Sequence, residues 1–137
     1  MMNDQQKIFS TAKRVVIKVG SNVLTADHGL NIYSIQIISE QLKLLFDKKI
    51  DVVIVSSGSM AAGFKKIGLP SRPTDIPGRQ ATAAVGQAGL ILEYEKAFAK
   101  YDKKVAQILL TQSDLNHRKR YLNRQRKDQS FLSPRLV

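Results

Sequence analysis

Cysteine is absent from the 137 residues. That single absence excludes disulfides, thiolate metal sites and thiol nucleophiles. No apolar run approaches the roughly 18 residues of a membrane span, and the opening MMNDQQKIFSTAK has no apolar signal core. A soluble, cytoplasmic protein is expected, with no membrane partner. The two histidines, His28 and His117, lie far apart with no carboxylate at ligand spacing. They are expected at the surface, and no metal site is predicted from the protein's own side chains. Acids are scarce: 11 against 22 basic residues give a net charge of +11. Seven basic residues from Arg118 onward, against Asp128 alone, hold six of those eleven charges. This stretch has only Tyr121 and Phe131 as interleaved aromatics, so it reads as a solvated face or loose tail. A nucleic-acid partner is not expected.

What is present has globular proportions. A hydrophobic fraction of 43% and a charged fraction of 24% fit one ordinary domain with a real core. The most informative stretch is RVVIKVGS at 14–21. Its β-branched density predicts a strand covered on both faces, as in a parallel sheet. Lys18 in such a strand needs an anion, because an unpaired buried charge is costly. It stands near the strand's carboxyl end, where open α/β sheets bind ligands. Gly20 then lets backbone amides approach that ligand. The alternative is an edge-strand lysine whose ammonium reaches water.

Strand and helix patterns alternate along the chain. A first strand is predicted over 14–19 and a loop over 22–30, with Asp27, His28 and Gly29 as turn formers. Asn31 caps a helix through Lys48, with Ile35, Ile38, Leu42 and Leu45 on one stripe. A second buried strand follows over 51–55, then a short helix over 59–67 ended by Gly68 and Pro70. Three prolines make 69–77 a loop. A long helix over 78–100 is expected to turn Val85, Ala88 and Leu92 inward, and its alanines and glycines predict a second backbone close by. A third strand is predicted over 105–110, with helix from Gln112 onward. This β-α-β-α-α-β-α order predicts an α/β fold, a mostly parallel sheet with helices on both faces.

The turn after the second strand, VSSGSMAAGF at 55–64, is a second candidate site. Ser56, Ser57, Gly58 and Ser59 lie between a strand end and a helix start, where free N–H groups favour an anion. GSMAAG at 58–63 has the glycine spacing of a P-loop, but Phe64 stands where that motif needs lysine, and no GxGxxG occurs. Parallel strands put both turns at one sheet edge, so Lys18 can meet an anion held by Gly20, Ser57 and Gly58. One lysine, hydroxyls and backbone amides suit phosphoryl transfer, which needs positioning and charge stabilisation more than a nucleophile. Arg79, Gln80 and Gln87 are weaker candidates for a polar substrate site, and Asp75 and Asp114 stand singly in a loop and at a helix start.

Four stretches carry a resemblance: VVIKVGSNVLT at 15–25, VVIVSSGSMAAG at 52–63, RQATAAVGQAGLI at 79–91 and QILLTQSDLNHRKRYLN at 107–123. Together they resemble the amino-acid kinase family. Within it, AAVGQ and the RYLN segment point to the branch that phosphorylates the γ-carboxylate of L-glutamate, the first step of proline synthesis. The resemblance implies a three-layer α/β/α sandwich, ATP with Mg2+ as cofactor, and L-glutamate as substrate. It implies that Lys18 contacts the phosphates and the transferring group as the catalytic lysine. It places Gly20 and Ser21 at the phosphate-proximal turn, and Ser57, with Gly58 beside it, on glutamate.

The resemblance also implies an organisation: a flexible start over 1–13, the amino-terminal part of a kinase domain over 14–123, and a divergent basic tail over 124–137. Asn123 is followed by RQRKDQSFLSPRLV, where the family continues to an Asn-Glu-Asn-Asp loop and a nucleotide-binding half. A truncated or frame-shifted product, or a fragment, is therefore expected. The exposed edge of its third strand predicts a homo-oligomer. Two other readings stand beside the kinase: a non-catalytic fragment acting as an interaction module, and another amino-acid kinase such as one acting on acetylglutamate.

Overall fold

In a computed structural model of the chain, the described residues are 10–27 and 29–109. They form strand β1 (Arg14–Val19), a single helical turn α1 (Ser21–Leu24), a hairpin of β2 (Thr25–Ala26) and β3 (Gly29–Leu30), helix α2 (Ile32–Asp47), strand β4 (Asp51–Ser56), helix α3 (Ser59–Ile67) and helix α4 (Ile76–Ala99). The predictions for β1, α2, β4 and α3 match these elements to within a residue. The predicted loop over 22–30 instead holds α1 and the hairpin.

β1 and β4 pair in parallel, from Arg14 opposite Asp51 to Val19 opposite Ser56. Residues paired this way share a sheet face and alternate along each strand. Ile17, Val19, Val52 and Ile54 point into the core, where residues of α2 and α4 meet them. Val16 and Val55 point the other way and are 62% and 51% exposed. The expectation of a strand buried on both faces is therefore corrected: among the described residues, the helices that join the core cluster cover one face. β-Branched density reports strand propensity as well as burial, and here propensity explains the open face.

Helix ends follow local chemistry. Asn31 Oδ1 accepts from the Ser34 amide at 3.0 Å and starts α2, as its position predicts. Gly68 ends α3 with φ of 71°, and its amide reaches the Lys65 and Phe64 carbonyls. α4 begins two residues before the predicted start because the Asp75 carboxylate caps it, accepting from the Gly78 amide at 2.7 Å. Asp75 is thus a cap and no longer a free acid in a loop.

The inward stripe of α4 also differs from expectation. Val85, Ala88 and Leu92 are exposed. Thr82, Gly86, Leu90, Tyr94, Ala97 and Phe98 are buried. The buried set repeats every four residues and changes character along the helix. Its first part is small, and the second backbone that the glycines predict is there: a Cβ on Gly63 would stand 1.8 Å from the Thr82 carbonyl oxygen. Its second part is large and packs over the sheet, with Tyr94 stacked on Phe98 at 6.3 Å and Phe46 edge-on to Phe98 at 5.9 Å.

The predicted strand over 105–110 does not form at 105–109, which are irregular beyond an isolated bridge at Lys104. A strand needs a neighbour's hydrogen-bonding edge, and Ile108 and Leu109 remain exposed. Leu110, the helix predicted from Gln112, Asp114, both histidines, the basic tail and residues 1–9 lie outside the described residues.

Candidate phosphate and substrate site

Because β1 and β4 run parallel, the turns that follow them emerge at one edge of the sheet. Val19 lies opposite Ser56 in the register. Gly20-Ser21 and Ser57-Gly58 therefore begin side by side, the juxtaposition expected from the two Gly/Ser turns. The Ser57 hydroxyl donates to the Val19 carbonyl across a long 3.4 Å contact. Gly58 caps α3 without a side-chain partner, so amides of the first α3 turn stand at the same edge.

The two glycines do different work. A Cβ on Gly20 would meet nothing within 4 Å, so the turn there is open to whatever approaches. A Cβ on Gly58 would press on Leu24 and Leu90 at 3.0 Å and on Leu30 at 3.1 Å. Gly58 is therefore tightly walled by the core, and its small size serves packing at least as much as access. Ser21 is exposed, and its carbonyl accepts from the Thr25 hydroxyl at 2.7 Å, tying α1 to the hairpin.

Lys18 lies on the open face of the sheet, opposite Val55. Its side chain is exposed, and among the described residues it makes no ion pair or hydrogen bond. The burial argument for a counter-anion therefore falls away, since an exposed ammonium is satisfied by water. What remains is position: Lys18 stands two residues before the Gly20 turn, at the carboxyl end of β1.

Tyr94 is the residue that sequence reasoning missed. It is only 4% exposed, and its hydroxyl donates to Ser56 Oγ at 3.2 Å. Burial pushes the phenol above its usual value, with the Ser56 hydrogen bond opposing that shift. The signal available in the sequence was the spacing Leu90, Tyr94, Phe98, one polar atom on an apolar stripe. Arg79 and Gln80 are exposed, and Gln87 is half-buried. Two small cavities, of about 80 and 90 Å³, are lined by residues of α2 and α4 and by the hairpin with α3 and Arg72. Neither is lined by Lys18, Gly20, Ser21, Ser57 or Gly58. Among the described residues no three His, Asp or Glu side chains gather to hold a metal ion, and no helix is long and apolar enough to cross a membrane.

The sequence matches the amino acid kinase family over residues 13–135. It is 48% identical over 123 residues to the glutamate 5-kinase of Clostridium acetobutylicum, covering 89% of this chain and 46% of that protein. It is 47% identical to the glutamate 5-kinase of Citrifermentans bemidjiense over 87% of this chain and 32% of that one. The glutamate 5-kinase of Geobacter sulfurreducens is 51% identical over 85% of this chain and 31% of its own length. The chain thus spans less than half the length of these relatives. With a family match across most of its residues and a parallel β-α-β unit at its centre, the chain belongs to the amino acid kinase family.

Proposed function

We propose that the chain supplies one side of the site of a kinase that transfers the γ-phosphoryl group of ATP to the γ-carboxylate of L-glutamate, yielding glutamyl 5-phosphate. The observation that carries this reading is the register of β1 and β4, which starts the Gly20-Ser21 and Ser57-Gly58 turns from adjacent residues. The similarity to glutamate 5-kinases supplies the substrate class. The complete three-layer sandwich, a homo-oligomeric assembly and a cytoplasmic setting belong to the same reading.

The donor set fits a phosphate. Lys18 offers an exposed ammonium, Gly20 and Ser21 offer an open turn, and all are donors suited to an anion. In the proposed mechanism Lys18 neutralises charge that develops on the transferring group, and the Gly20-Ser21 turn orients the phosphates. Ser57 holds glutamate, with Gly58 fixing the backbone beneath it. Mg2+ carried in on the nucleotide would supply further charge neutralisation there, with Lys18 and the Gly20-Ser21 turn as the chain's own contribution. The chemistry is positioning and electrostatics, so each missing contact acts on the barrier directly.

The test is ATP- and glutamate-dependent acyl phosphate formation by the purified chain together with the carboxyl-terminal part of a glutamate 5-kinase, trapped as the hydroxamate, with Lys18→Met alongside. The expected result is turnover that falls by about 10²-fold or more in Lys18→Met, the scale for losing one preorganised charge contact. Equal turnover in both proteins would remove Lys18 from the mechanism. A folded chain that binds glutamate without turnover would leave a substrate-binding module and overturn the catalytic part of the reading.

A further inference from the structure

We infer that Tyr94 is a positioning residue for the Ser57-Gly58 turn: its buried hydroxyl, bonded to Ser56, sets how that turn meets an amino-acid ligand. The inference rests on the reading of that turn as the glutamate side of the site. Two residues where β4 runs into α3, Ser56 and Gly58, are met by one helix, α4. Ser56 receives the Tyr94 hydroxyl at 3.2 Å. Gly58 is walled by Leu90, one helical turn before Tyr94, together with Leu24 and Leu30. Between them Ser57 is exposed, and its hydroxyl makes a long contact to the Val19 carbonyl on the far side.

Strand alternation explains the division of labour. Ser56 continues the core-facing series of Val52 and Ile54, whereas Ser57 turns outward. The inner serine is the anchor and the outer one is presented. A phenylalanine would suffice for packing at position 94, since Phe98 stacks beside it. A buried hydroxyl is sustained only where a partner offsets its lost hydration. The hydrogen bond of Tyr94 goes to Ser56 rather than to Ser57 or Gly58, so its influence on the presented serine passes through Ser56.

The test uses the 137-residue chain, with Tyr94→Phe, Ser56→Ala and the double variant, in two measurements. Amide hydrogen exchange at residues 57–59 is expected to speed up by about fivefold in each single variant, the net worth of one hydrogen bond, while the core amides of α4 keep their protection. Calorimetric titration is expected to show glutamate binding weakened by a similar factor of about five. The double variant is expected to be no worse than either single one, because both remove the same contact. Unchanged exchange at 57–59, additive losses, or a general loosening of the α4 amides would each overturn the inference. Failure of the unsubstituted chain to bind glutamate would overturn the substrate reading instead, and the exchange measurement would then decide the role of Tyr94 alone.

Discussion

At the scale of single residues, burial separates the groups that hold the fold from those that are free to act. Lys18 is exposed on an open sheet face, so Lys18→Met should leave stability within about 0.5 kcal/mol of the parent, as surface substitutions usually do. Urea titration checks this, and a larger loss would make Lys18 a structural residue whose variant says nothing about turnover. Tyr94 is the opposite case. Its phenol is raised above the usual value near 10 by burial. The folded state therefore keeps a proton that the unfolded chain releases, and stability is fully present below about pH 10 and is lost as pH rises through the folded value. Tyr94→Phe should flatten that alkaline loss. Melting curves between pH 8 and pH 11, about the range of tyrosine ionisation, would show it as a smaller drop in midpoint than the parent suffers. An identical drop would place the alkaline sensitivity elsewhere.

At the scale of elements, the contact between α3 and α4 is where two physical effects compete. Gly63→Ala replaces the poorer helix former and should stabilise α3 by about 1 kcal/mol in isolation. The added methyl, however, would stand 1.8 Å from the Thr82 carbonyl oxygen and 2.7 Å from its carbon, both backbone atoms. Forcing the helices apart costs about 1–3 kcal/mol or more, so Gly63→Ala should destabilise despite its better propensity. Gly89 supplies the control, because a Cβ there would meet only Ala62 Cβ at 3.9 Å. Gly89→Ala should stabilise by up to about 1 kcal/mol. Paired denaturant titrations read both signs, and a stable Gly63→Ala protein would show that the helices can separate freely. These elements also mark how far the sequence could be read. Asn31, Gly68 and the β-branched strands act through local chemistry, so their elements were legible to within a residue. Asp75 was not recognised as a cap because its partner amide, on Gly78, lies across a Pro-rich stretch that reads as loop. Val85 and Leu92 were expected inward because apolar stripes usually are, yet small residues won the contact with α3. The candidate turns were legible from their Gly/Ser content. Tyr94 was not, since its role depends on a pairing between residues 38 apart.

At the scale of the whole molecule, the open sheet face decides behaviour in solution. Val16 and Val55 lie on that face, in a register that sets Val16 opposite Val53 and Val55 opposite Lys18. With both valines more than half exposed, the face is an apolar patch that water covers unfavourably. Two unpaired strand edges border it, since β1 and β4 form a two-stranded sheet among the described residues. Against association stands the net charge of +11, whose repulsion is strong at low salt and screened over about 8–10 Å at physiological ionic strength. The hydrophobic term does not weaken with salt, and sulfate strengthens it. Self-association should therefore increase with ionic strength, contrary to what binding through the basic side chains would give. Sedimentation at rising protein concentration, in low and high salt, should show the average mass climbing more steeply in high salt. Val16→Thr with Val55→Thr should abolish most of that climb while preserving the β-branched shape that suits a strand. A parent chain that stays monomeric at all salt concentrations would mean that the face is already protected. Association that dissolves on adding salt would shift the contact to the charged surface.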